Sequence, residues 1–174
     1  MKLIYTDILR WCVQCWKEAF FAGILFMMAG RLINKKLNHE RFWGVLYFAD
    51  GFYIYYLFYV TLLMRSIGSR REVEFMPFTN SELMNGDFHY LIENILLFIP
   101  FGFLMYATLR AYGRECGIGM ILLIAFLISV SVELLQYVFS CGKSETDDVI
   151  TNVLGALIGY MIIKISGLSK GLIK

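Results

Sequence analysis

The stretch GIGMILLIAFLISVSVELLQYVF, from Gly117 to Phe139, holds one charged side chain, Glu133, in a run as long as the ~20 residues that cross hydrocarbon as a helix. Four further apolar runs accompany it: roughly Ala19 to Ile33, Phe42 to Met64, Phe88 to Leu109 and Val149 to Ile165. Only the first falls short of a spanning length, unless it takes in Trp16, Lys17 and Glu18 or Arg31 with their charged heads at the interfaces. The expected fold is therefore all-α: a polytopic membrane bundle of about five transmembrane helices. The polar stretch from Arg65 to Asp87 is expected to form a short interfacial cap between the second and third.

Composition agrees. Hydrophobic residues make up 59% of the 174, against ~45–50% apolar residues in a soluble domain, and mean hydropathy is +0.63. A water-soluble domain is excluded, and no nucleic-acid partner is expected. The short connections leave room for one transmembrane domain over 1–174. No small-residue cleavage site follows the first run, so that helix is expected to be retained.

Positive charge sets the expected orientation. Counted by alternate faces of five helices, Lys2, Arg10, Lys17, Arg65, Arg70, Arg71 and Lys143 share the N-terminal face, and the other nine of the 16 Lys and Arg lie opposite. The loop from Leu32 to Arg41 is short and basic, with Glu40 as its acid. It is placed in the cytoplasm, which puts the N-terminus outside and the C-terminus inside.

Whichever face is outside, the polar residues within the runs agree in depth. Glu133 lies six residues, or ~9 Å, before the end of the fourth run, and Asn94 about as far after the start of the third. Asn152 lies near the start of the fifth, Asp147 and Asp148 immediately precede that run, and Arg65 closes the second on the same face. Polar groups inside a membrane helix are costly and are functional candidates by default, although amides there often only join helices.

Spacing refines this. Ser129, Glu133 and Gln136 stand at i, i+4 and i+7, and Asp148, Asn152, Gly155 and Gly159 at i, i+4, i+7 and i+11, so each set forms a stripe on a helix face. The two stripes are expected to face each other, with Gly155 and Gly159 admitting a neighbouring backbone. Pro100, followed by Gly102, removes a backbone donor from the third run, so a kink or local unwinding is expected beside the polar zone.

Three blocks, NILLFIPFGF from Asn94, SVELLQ from Ser131 and TDDVITNVLGALIGY from Thr146, resemble the signature blocks of the VanZ-like family, membrane proteins named for a teicoplanin-resistance protein. Upstream, TLLMR from Thr61 and EFMPF from Glu74 resemble that family's arginine-ended helix and Pro-Phe turn. The resemblance covers about 60 to 160. Glu74 stands where the family pattern has an Asn, and the link SCGKSET before Asp147 lacks an arginine. The resemblance implies reduced susceptibility of Gram-positive bacteria to teicoplanin-type lipoglycopeptides, which act outside the cell on lipid-linked wall precursors. It implies no particular reaction.

Two function classes follow. One is a binding module at the outer leaflet, engaging membrane lipid, a lipid-linked cell-wall precursor or the lipoglycopeptide itself through Arg65, Asn94, Glu133, Gln136, Asp148 and Asn152. The other is an intramembrane enzyme with Glu133 as acid or base, Asp147 or Asp148 as its partner or as a metal ligand, and Arg65 holding a phosphate or carboxylate. A transporter is disfavoured by the lack of an internal repeat. No cofactor or metal is expected; the Cys12–Cys15 pair has no second pair or nearby His to complete a zinc site. His89 and Glu93, at i and i+4, read as solvated interfacial groups, with a metal or acid-base cluster shared with Glu133 and Asp148 as the alternative. Cys116 and Cys141 are expected on opposite faces. The ten aromatic residues between Phe42 and Tyr59 form a wall for packing or for a lipid chain, and Asp50 among them has no evident role.

Overall fold

The computed structural model describes residues 2–33, 40–78, 88–112, 114 and 117–167. Cys116, most of the basic loop at 34–39 and the second half of the expected cap, 79–87, lie outside these residues. Five helices are long and apolar enough to span a membrane, over Leu9–Leu32, Gly44–Leu63, His89–Ala111, Ile118–Phe139 and Thr146–Ile165. This is a multi-pass membrane protein. The first span begins ten residues before the apolar run, because a helix tolerates Arg10, Lys17 and Glu18 where their side chains stay exposed.

The chain forms two compact units, Met1–Val60 and Thr61–Lys174. In the first, α1 (Lys2–Ile33) packs along α2 (Glu40–Phe58). Cys15 and Ala19 are fully buried in this pair, and a side chain at Gly23 or Gly51 would strike Phe48 or Phe26. Small residues at the crossing bring the helices close, as is usual where lipid supplies no hydrophobic drive. Among the described side chains of the aromatic wall, Phe48 meets Phe20 of α1 edge-on at 5.3 Å, and Tyr55 stacks on Tyr59 at 6.3 Å. Cys12 is exposed and in no disulfide among the described residues. Asp50 is half-buried and engaged by neighbouring groups.

The second unit comprises β1 (Arg70–Glu74), α3 (His89–Ala111), α4 (Ile118–Phe139), β2 (Cys141–Glu145) and α5 (Thr146–Ile165). A π-helical turn, Tyr59–Leu63, runs into it from α2. The polarity of α4 is that of a membrane helix: Leu123, Leu127, Leu134 and Val138 are exposed, while Ser129, Glu133 and Gln136 are buried with Ile121, Ala125 and Val132. The polar stripe faces protein and the apolar face is left for lipid.

Helices α3 and α5 pack in parallel and very closely. A Cβ at Gly155 or Gly159 would meet the Ile95 or Ile99 carbonyl, and one at Gly102 the Ala156 carbonyl. This revises the expected stripe. Of its four members Asn152 hydrogen-bonds α4 and Asp148 bonds Asn94 on α3, while both glycines lie against α3, because a residue without a side chain admits the nearer backbone whereas an amide can reach across. The helix α3 continues through Pro100 without unwinding. Gly102 serves close packing, and the contact with α5 holds the helical path on either side of the missing donor.

The structure adds an element that the all-α expectation lacks. Strands β1 and β2 pair in parallel, with Arg70 opposite Cys141 and Glu74 opposite Glu145. Helix α4 ends where Ser140 turns left-handed (φ 52°, ψ 40°), its amide returning to the Gln136 and Tyr137 carbonyls. The chain then extends as β2 into α5. The link SCGKSET is thus a strand, and part of the expected cap is its partner. Lys143 lies between Glu74 and Glu145, bonding the first and standing 2.7 Å from the second. Burial alone would lower the Lys143 ammonium, but hydrogen bonds and charge from Glu145 and Glu74 outweigh it and raise its pKa, so the charge persists through the physiological range.

Replacing Lys143 by Met is expected to leave Glu74 and Glu145 facing each other across the strand pair without the Lys143 ammonium between them. Like charges directly opposite destabilise a pair by ~0.2–1 kcal/mol. Amide hydrogen exchange at Val73 and Ser144 should quicken a few-fold, and unchanged exchange would show that the strands are held by their ladder alone.

Candidate functional site

The expected residues do come together, through hydrogen bonds that join α3, α4, α5, β2 and the end of the π turn. Asn94 on α3 donates to Asp148 Oδ1 on α5 at 2.8 Å. Asn152 on α5 donates to Ser129 Oγ on α4 at 2.8 Å. Gln136 donates through Nε2 to the Thr61 carbonyl at 3.0 Å. That carbonyl lies at a helix end, where the last carbonyls lack intrahelical donors, and π turns of this kind often accompany functional sites.

Glu133, 8% exposed, accepts at Oε2 from the Glu145 amide at 3.0 Å, while its carbonyl accepts from Ser144 Oγ at 2.8 Å. Two successive residues of β2 thus hold one turn of α4, and the carboxylate lies at the start of α5 as its depth in the run implied. Glu133 also interacts electrostatically with Asp148, and the charge of Arg65 acts on both carboxylates. Arg65 itself is an exposed side chain just beyond the second span.

Its guanidinium occupies the place where a Gly142 side chain would stand, and Gln136 Oε1 would lie 3.2 Å from that Cβ. Gly142 therefore keeps open the space that Arg65 and Gln136 share. Sequence reading missed this glycine; the signal was its position in a charged link one turn from the helix that bears Glu133.

The two adjacent aspartates part company. Helix α5 begins at Thr146, earlier than the apolar run, so both lie in its first turn, where a carboxylate complements the helix dipole. Asp148 faces the cluster. Asp147, 3% exposed, accepts from the Phe78 amide at Oδ1 (2.8 Å) and from the Tyr90 hydroxyl at Oδ2 (3.4 Å). Phe78 is left-handed (φ 59°), a strained conformation for an aromatic residue that must be held from outside. Thr146 adds a hydrogen bond to the Phe75 carbonyl at 3.1 Å. Asp147, placed by sequence among the catalytic candidates, has both oxygens engaged, one docking the EFMPF turn onto α5 and the other accepting from Tyr90 of α3.

Asp147→Ala is expected to leave the Phe78 amide without its partner and to destabilise the protein by ~1–3 kcal/mol. Thermal unfolding of the purified protein checks this. An unchanged midpoint would mean that other contacts hold the turn.

His89 and Glu93 lie in the first two turns of α3, half-buried and engaged by neighbouring groups. Among the described residues no group of three His, Cys, Asp or Glu side chains is placed to hold a metal. With one carboxylate on α4, another on α5 and an arginine whose charge acts on both, the arrangement can bind a charged, hydrogen-bonding group. No nucleophile with an adjacent base stands among these residues.

A VanZ/LLP1 family model matches residues 51–167. The chain belongs to that family. The matched segment contains every residue of the polar cluster. Protein VanZ of Enterococcus faecium is 33% identical over 100 residues, which is 58% of this chain and 55% of that protein. This VanZ/LLP1 chain therefore matches only about half the length of that curated relative. No solved structure matches it.

Proposed function

We propose that this VanZ/LLP1 protein lowers susceptibility to teicoplanin-type lipoglycopeptides by engaging a cell-wall lipid or the drug at a polar site on the outer membrane face. The observation that carries the reading is the convergence of Glu133, Asp148 and Arg65. Two carboxylates and a guanidinium gather at the ends of the spans, in a family whose Enterococcus faecium relative is 33% identical, and the hydrogen bonds that fix the two carboxylates come from Asn94 and β2 rather than from a catalytic partner. The N-terminus lies outside and the C-terminus in the cytoplasm. Binding at the outer leaflet interferes with drugs that act there on lipid-linked precursors, and it requires no reaction. An intramembrane enzyme using Glu133 as acid or base is the weaker reading, since among the described residues no metal-holding group or activated nucleophile accompanies it.

Expression in a susceptible Gram-positive host is expected to raise teicoplanin tolerance more than vancomycin tolerance, because the acyl tail of teicoplanin keeps it at the membrane. Minimum inhibitory concentrations of both drugs, read beside membrane levels of the protein, check it. Equal or absent protection from a well-expressed protein would overturn the reading.

A further inference from the structure

We propose that the polar cluster recognises a primary ammonium linked to a phosphate, taking the ammonium on Glu133, Asp148 and the Gln136 carbonyl and the phosphate on Arg65. The inference rests on the reading of this cluster as a ligand site and names the chemistry that it takes.

The first ground is a buried acceptor without a donor. Gln136 is 1% exposed, and its Oε1 has no hydrogen-bond partner. Its orientation is determined: Nε2 donates to the Thr61 carbonyl, and reversing the amide would set two acceptors against each other. The orphan atom is therefore an acceptor and awaits a donor. It lies beside the Gly142 backbone in the space that Arg65 enters. The Asn152 Oδ1 atom is likewise buried without a partner. Its amide bonds a serine hydroxyl, which can give or accept, so Asn152 serves either polarity of ligand.

The second ground is charge. Glu133 and Asp148 interact with each other and with the guanidinium of Arg65, so among the described residues these two carboxyl groups share one cation. The neighbouring Lys143 does not redress this, being committed to Glu74 and Glu145. A surplus carboxylate at a membrane-embedded site is costly without a partner, and an arriving cation offsets that cost. An ammonium with free N–H groups also gives Gln136 Oε1 the donor it lacks, which a quaternary amine does not.

The third ground is the place of Arg65. It stands exposed just past Leu63, where the second span ends, at the level of lipid phosphates, and a guanidinium forks readily onto phosphate oxygens. Ammonium acceptors and a phosphate donor thus lie side by side. A membrane aminophospholipid and a lipid-linked muropeptide with a lysine side chain both carry this pairing.

The test uses the full-length protein in detergent and dihexanoyl lipids as probes, with binding read by intrinsic fluorescence. Dihexanoyl phosphatidylethanolamine should bind at least tenfold tighter than the corresponding phosphatidylglycerol, which lacks the amine, or phosphatidylcholine, whose amine has no N–H. Glu133→Gln and Asp148→Asn should remove the preference, while Arg65→Ala should weaken all three lipids alike. A short-chain, lysine-containing, lipid-linked muropeptide competes in a second arm; whichever amine displaces the other at the lower concentration identifies the natural source. Equal or tighter binding of phosphatidylglycerol overturns the proposal, as does a preference that survives both carboxylate variants, since Arg65 would then be the partner of Gln136. The outcome is separable from drug tolerance. Tolerance that needs Glu133 without any amine preference leaves the resistance reading standing and removes this inference, and an amine preference in a protein that gives no tolerance does the reverse.

Discussion

Replacing Glu133 by glutamine is expected to return teicoplanin tolerance to that of the host without the gene, in a protein that still folds and inserts. The geometry makes the substitution discriminating. A glutamine side chain keeps the volume and still offers an oxygen to the Glu145 amide, which lies 3.0 Å from the present carboxylate, and the Ser144 bond goes to the Glu133 carbonyl and not to its side chain. Every structural contact of the residue thus survives; only the charge is lost. If Glu133 merely joins α4 to β2, glutamine should be tolerated or even stabilising, because it removes a buried charge. Asp148→Asn has the same logic, since its oxygen still accepts from Asn94. Arg65→Ala removes an exposed side chain beyond the span. Drug tolerance measured beside thermal stability in these three variants separates the readings, and tolerance retained in all three would leave the polar cluster as a joint between helices.

The largest loss of stability is expected from the double variant Gly155→Ala, Gly159→Ala. At Gly159 the new carbon would meet the Ile99 carbonyl and lie 2.9 Å from the Phe103 nitrogen; at Gly155 it would meet the Ile95 carbonyl. Two effects oppose. Alanine is the better helix former by up to ~1 kcal/mol per site, whereas overpacking a close contact costs ~1–3 kcal/mol and occasionally more. Here the obstructing atoms are backbone, which cannot swing aside as a flexible side chain would, so overpacking wins and α3 must move away from α5. That movement separates Asn94 from Asp148, so the double variant should lose tolerance as well as stability. Gly119→Ala is the internal control: a Cβ there meets nothing within 4 Å, and it should unfold at or above the wild-type temperature. A double variant as stable as wild type would show that the two helices do not depend on their close approach.

The five spans were legible because a membrane demands long apolar runs, and that demand is written locally, residue by residue. The common depth of Asn94, Glu133 and Asn152 was legible for the same reason, since depth in a helix follows from position in the run. The spacing of Ser129, Glu133 and Gln136 placed them on one face, and all three are buried together. Pairing between elements was not legible. Strands β1 and β2 are five residues each and rich in charge, and they join positions 71 residues apart, so neither apolar periodicity nor proximity in the chain announces them. Asp147 and Asp148 are identical and adjacent, yet one holds the Phe78 turn and the other faces Asn94. A helix turns about 100° between them, and only the packing of α3, α4 and the EFMPF turn decides which neighbour each direction meets. The glycine stripe divides in the same way between helices. Sequence determined the spans, their depth and their buried faces, which are properties of single helices, whereas tertiary structure decided the partners, because a partner is a property of two surfaces and the space between them.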